Sequence, residues 1–118
     1  MDKLDAMTEQ VRDFCDDRGW RKYHTPKELA IGMATESSEL LQLFRFMSDE
    51  RIAEMFEDTE QRQVIEDEIA DMLLFLLRFA DLNRIDLPAA LSYKLKRNGE
   101  RYPINASFVE YRKADHHE

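Results

Sequence analysis

Hydrophobic residues recur along most of this chain at intervals of three and four, the period of a helix that buries one face. Leu4, Met7, Val11, Phe14 and Cys15 form the first such stripe, which stops near Gly19, a residue suited to the left-handed turn that ends a helix. The segment Gly19-Trp20-Arg21-Lys22-Tyr23-His24 then reads as a loop that gathers aromatic, basic and imidazole groups. Thr25-Pro26-Lys27-Glu28 has a capping-box pattern with proline at the first helical position, so a second helix begins there. Its stripe, Leu29, Met33, Leu40 and Phe44, carries it to about Phe46 or Met47, with Glu36 and Glu39 on an adjoining face.

From Ser48 to Arg62 the chain is polar and acidic, and Ile52, Met55 and Phe56 are its only sizeable apolar cluster, which predicts a short helix or a loop. A third long helix is predicted from about Thr59 or Glu60 to Asn83. Its run Ile69 to Ala80 is strongly apolar, with Asp71 and Arg78 the exceptions, and that run is shorter than the roughly 20 residues of a membrane span. It therefore reads as a core helix, and one that a small bundle cannot cover on every side, so a homodimer or homotetramer is expected. Asp86-Leu87-Pro88 predicts the cap and first turn of a last helix, running through Leu91 and Leu95 and stopping near Gly99.

Composition narrows the class. With 118 residues, only three Gly and three Pro, and 43% hydrophobic residues, the chain is expected to be all-α: a four- to five-helix bundle completed by oligomerisation. A single domain is expected over residues 1–113, with 114–118 a disordered tail. The net charge of −8 argues against binding a nucleic-acid polymer or an anionic membrane, both of which need a basic footprint. One cysteine, Cys15, excludes an intrachain disulfide and reads as a small buried hydrophobe. The N-terminus alternates charged and apolar residues with no signal-peptide stretch, so a cytoplasmic location is expected.

Glu36-Ser37-Ser38-Glu39 and Glu68-Ile69-Ala70-Asp71 each put two carboxylates three residues apart on one helical face. With 25 acidic residues in the chain that spacing is weak by itself. The apolar setting of Asp71 strengthens it, because a buried carboxylate without a partner is costly and calls for a cation. Four oxygen donors suit Mg²⁺, with Mn²⁺ as the other candidate, rather than zinc. A di-iron bundle would need Glu-x-x-His pairs, and neither acidic pair contains histidine. Lys94, Arg97, Asn98 and Arg101 form a basic element that either complements a helix C-terminus or binds phosphate. Glycine-rich phosphate loops and Ser-His-Asp or Cys-His nucleophile patterns are absent.

These residues also match a family. Trp20-Arg21-Lys22-Tyr23-His24-Thr25-Pro26-Lys27, Glu36-x-x-Glu39, Glu68-x-x-Asp71, Asp86-Leu87-Pro88 and Lys94-x-x-x-Asn98-x-x-Arg101-Tyr102-Pro103 together resemble the all-α MazG-type nucleoside triphosphate pyrophosphohydrolases, most closely the dCTP pyrophosphatase branch. The resemblance implies intertwined subunits and Mg²⁺-dependent release of pyrophosphate from a deoxynucleoside triphosphate, dCTP or a base-modified one. It assigns the metal to Glu36, Glu39, Glu68 and Asp71; for the reaction itself, a carboxylate not fully committed to metal, with Glu39 the candidate, would accept the proton of the attacking water. Trp20, His24 and Lys27 fall near the nucleotide, and Lys94, Asn98, Arg101 and Tyr102 toward its phosphates or sugar. Phe46 and Phe75 stand where some members of the branch carry Trp and Tyr, and Val11 replaces a polar residue of some relatives. A phenyl ring stacks on a base but donates no hydrogen bond. The alternative reading is a non-catalytic nucleotide-sensing or interaction module on the same bundle.

Overall fold

The computed structural model describes residues 2–104, all helix and connection with no strand among them. The tail 114–118 and the chain after residue 104 lie outside the described residues. Five α-helices follow in order: α1 (Lys3–Asp17), α2 (Pro26–Phe44), α3 (Asp49–Glu57), α4 (Thr59–Leu82) and α5 (Leu87–Arg101), with a 3-10 turn, Trp20–Tyr23, between α1 and α2. Residues up to Arg84 form one compact unit and those from Ile85 a second.

Every α-helix begins on a side-chain cap, which satisfies one of the orphan N–H groups of its first turn. Asp2, Thr25, Ser48, Asp58 and Asp86 each accept a hydrogen bond from the backbone N–H three residues on, at 2.8–3.2 Å. Asp58 also closes α3, so one residue ends that helix and starts α4. Gly19, at φ 66°, supplies the left-handed turn after α1. The second helix ends at Phe44, short of the expected Phe46 or Met47, because the backbone leaves the helical region at Arg45 (ψ 132°) and then turns left-handed at Phe46 (φ 69°). The last helix instead runs two residues past Gly99, which stays helical, to Arg101.

In the first unit α4 is the centre, with α1, α2 and α3 all packed against it. The buried apolar residues are Cys15, Leu29, Met55, Ile65, Leu77 and Ala80, drawn from all four helices. Phe44 and Phe56 stack at 6.2 Å between ring centroids, holding the end of α2 to α3. Arg12 closes α1 onto α4 through a bidentate pair with Asp81, at 2.9 and 2.8 Å.

As expected of a core helix in so small a bundle, α4 is covered on one side and not on every side. Leu77 and Ala80 are buried, whereas Val64, Ile69, Leu73 and Leu76 are 37–50% exposed in the single chain. No helix among the described residues is long and apolar enough to cross a membrane.

Candidate active site

Where α2 packs on α4, Gly32 faces the ring of Phe75. A Cβ at Gly32 would collide with that ring, so any larger residue there would force the Phe75 side chain to move. One turn further along α2 stands Glu36, and about two turns back along α4 stands Glu68; their carboxylates meet, so the helices run antiparallel.

Carboxylate oxygens of Glu36, Glu39 and Glu68 lie within 4.8 Å of one another. One oxygen of Glu36 and one of Glu68 are buried with no hydrogen-bond partner. Burial raises the Glu36 pKa to about 7, aided by hydrogen bonding to Glu68 and Glu39 and by the charges of Glu39 and Asp71. Glu68 is raised as well, with burial again the largest cause. Three carboxylates drawn together, two of them with an orphaned buried oxygen, could hold a hard divalent cation, and an all-oxygen donor set suits such an ion better than a thiolate- or imidazole-preferring metal.

Asp71 differs from its expectation. Its carboxyl is exposed rather than buried, although its charge acts on both Glu36 and Glu68. The apolar neighbours Ile69 and Leu73, which made it look buried, belong to the uncovered side of α4. Glu36 and Glu68 hold the buried oxygens instead.

The 3-10 turn carries the aromatic candidates. Trp20 sits edge-on to Phe14 (5.6 Å, 75°) and to His24 (5.9 Å, 66°), and is 37% exposed. His24 is half-buried, and its Nδ1 accepts a 3.1 Å hydrogen bond from Arg78 Nε. Burial, then the adjacent guanidinium, hold its pKa below the usual imidazole value. Lys27 is exposed in the first turn of α2. Phe46 is 91% exposed with the Arg45 guanidinium 4.7 Å from its ring centre, whereas Phe75 is half-buried on Gly32. In the second unit, Lys94, Arg97, Asn98, Glu100 and Arg101 line a recess of about 340 Å³, and Tyr102 caps the end of α5.

No family model matches the chain. The crystal structure of a pyrophosphatase from Archaeoglobus fulgidus superposes with a TM-score of 0.80 at 36% identity, covering 87% of this chain and 94% of that one. The chain belongs to the MazG-like pyrophosphatase family. Within it the likeness is to the dCTP pyrophosphatase branch. The bovine protein named dCTP pyrophosphatase 1 is 32% identical over 95 residues, 80% of this chain and 56% of that protein. The human protein of that name is 30% identical over 101 residues, 86% of this chain and 59% of that protein. This chain thus spans little more than half the length of those relatives.

Two residues of this MazG-like chain escaped the sequence reading. Gly32 makes room on α2 for the Phe75 ring of α4, and a lone glycine inside a helical pattern was its only signal. Arg78 stood out only as a charge within an apolar run. It proves fully buried and bonded to Asp16 (2.8 Å) as well as His24.

Proposed function

We propose that this chain is a Mg²⁺-dependent nucleoside triphosphate pyrophosphohydrolase that converts dCTP or a base-modified deoxynucleoside triphosphate to the monophosphate and pyrophosphate. The observation that carries this reading is the meeting of Glu36, Glu39 and Glu68 with two orphaned buried oxygens, on the α2–α4 pair of a MazG-like fold. Glu36, Glu68 and Glu39 would hold the cation, with Asp71, one turn from Glu68, as the fourth donor. Bound Mg²⁺, or Mn²⁺ in its place, supplies charge neutralisation for the phosphate oxygens and acidifies the attacking water.

Water attacks the α-phosphorus, the bond to the bridging oxygen breaks, and pyrophosphate leaves. Glu39, the exposed member of the trio, accepts the proton that the water gives up and can pass it to solvent. Trp20, His24 and Lys27 serve the nucleotide, and Phe46 or Phe75 its base. The groups of the α5 recess, Lys94, Asn98 and Arg101, together with Tyr102, serve its phosphates or sugar. The exposed apolar row Val64, Ile69, Leu73 and Leu76 supports a homodimer or homotetramer. The same reading places the enzyme in the cytoplasm, where it removes unwanted nucleotides.

Pyrophosphate release from a panel of deoxynucleoside triphosphates, with Mg²⁺ and then with a chelator, tests the reading. Chelator-sensitive release, fastest for dCTP or a modified cytosine nucleotide, is expected. Nucleotide binding with no release from any of them would replace the enzyme by a sensing module. Sedimentation at micromolar concentration should show no monomer.

A further inference from the structure

Arg78 lies in the apolar run of α4 and is fully buried, yet only part of its guanidinium is satisfied. Nη2 donates to Asp16 at the end of α1, Nε donates to His24 at the mouth of α2, and Nη1 is buried without a partner. Burying an arginine with one nitrogen unsatisfied is a costly way to fill a core; an apolar side chain of similar volume stabilises as well or better. The two bonds it does make join residues 62 and 54 positions away in sequence.

The chemistry of the His24 bond is directional. An Nε–H of arginine only donates, so the Nδ1 it meets must carry a lone pair, and the imidazole proton is left on Nε2. Protonating Nδ1 would set two N–H groups against each other beside a positive charge. The charged groups facing the ring are Arg78 from α4 and, across it, Asp16 from α1, and Asp16 is already engaged by Nη2. Trp20 closes the ring's side.

We propose that Arg78 is a positioning residue that fixes His24 as its neutral Nε2–H tautomer, so that the imidazole offers the nucleotide one uncharged hydrogen-bond donor in a set direction. A ligand group facing that edge must accept a hydrogen bond: a carbonyl, ring nitrogen or sugar oxygen serves, and a phosphate gains no ion pair. The Asp16–Arg78 pair anchors this donor to both α1 and α4, so its direction does not depend on the turn alone. The nucleotide's part in this rests on the proposed function; the tautomer does not.

Long-range ¹H–¹⁵N correlation spectra of the labelled full chain, recorded from pH 5 to 8, read the tautomer directly. The His24→Gln spectrum assigns the signal among the three histidines. The wild type is expected to show His24 with a protonated Nε2 and a bare Nδ1, titrating below the ordinary imidazole range. An Nδ1–H form, or a fast-averaged mixture with ordinary titration, would overturn the proposal without any variant. In Arg78→Met, checked by melting, tautomer averaging is expected together with about a tenfold rise in KM for the deoxynucleoside triphosphate and a nearly unchanged kcat, the scale of one neutral hydrogen bond. An unaltered tautomer in a folded Arg78→Met protein would refute the role of Arg78, and an unaltered KM would refute the donor's role toward nucleotide. A fixed wild-type tautomer in a protein with no triphosphate turnover would defeat the proposed function and leave the Arg78–His24 assignment standing.

Discussion

Replacing Glu36 by Gln removes one charge from the carboxylate cluster at nearly constant size, and its effect on the metal-free fold follows from the Glu36 pKa. Burial, then hydrogen bonding to Glu68 and Glu39, then the charges of Glu39 and Asp71 raise that pKa from 4.5 to about 7. Because the folded value lies above the unfolded one, the folded chain binds the extra proton between about pH 4.5 and 7, and stability falls as pH rises through that window. Ionised Glu36 therefore costs nothing below the window and its full amount above it. At about 1.4 kcal/mol per pH unit the ceiling is roughly 3 kcal/mol, and screening by water around the exposed Glu39 and Asp71 brings it to about 1–2 kcal/mol.

Urea unfolding of chelated wild type and Glu36→Gln, at one protein concentration and at pH 5 and 8, measures this directly. The variant should be more stable at pH 8 by about 1–2 kcal/mol, with the gap closing toward pH 5. Adding Mg²⁺ should reverse the order. At a hundredfold excess over its Kd the cation stabilises the wild type by about 2.7 kcal/mol, and the variant, short of one ligand, gains little. A metal-free variant less stable than the wild type at pH 8, or a gap independent of pH, would refute the reasoning that Glu36 is a strained charge awaiting a cation.

Two further outcomes separate roles within the site. Asp71→Asn should abolish Mg²⁺-dependent pyrophosphate release with little change in melting, since this carboxyl is exposed, while Glu60→Gln, outside both acidic pairs, keeps normal turnover; near-normal turnover in Asp71→Asn removes it from the ligand set. Phe46→Ala should weaken nucleotide binding by about 1–3 kcal/mol if its exposed ring stacks on the base, leaving stability unchanged. Phe75→Ala should instead lower the melting midpoint, because its ring packs on Gly32, and titration calorimetry with thermal melts tells the two apart.

The starts of α2 and α5 were legible because a cap is a local device: Thr25 and Asp86 each act on an N–H three residues away, and Asp2, Ser48 and Asp58 do the same in the structure without a proline beside them to mark the cap. The end of α2 was not, since Phe46 turns left-handed without the glycine or asparagine that usually marks such a turn. Pairing of Glu36 with Glu39 and Glu68 with Asp71 came from helical spacing, their expected meeting in one site from the apolar setting of Asp71, and the family resemblance pointed to the same four residues. Which of the four is buried depends on the side of α4 that α2 covers, a property of packing that apolar neighbours along the chain do not encode. The Asp16–Arg78–His24 chain is more remote still, since no local pattern joins residues so far apart in sequence.

Three carboxylates of the first unit, Asp81, Glu36 and Glu68, are pushed in opposite directions by their surroundings. Asp81, held by both terminal contacts of Arg12, is lowered, so folding favours its charge and the pair needs nothing from outside. Glu36 and Glu68 are raised, and the strongest charges acting on them, those of Glu39 and Asp71, are carboxylates too. Both shifts mean that the ionised cluster opposes the metal-free fold, so stability does not explain why these carboxylates meet between α2 and α4. A divalent cation would turn each of those repulsions into a shared attraction and supply the partner that the two buried oxygens lack. The arginine–aspartate pairs join α1 to α4, and the misfit of the carboxylates beside them is the physical ground on which the proposed cation site rests.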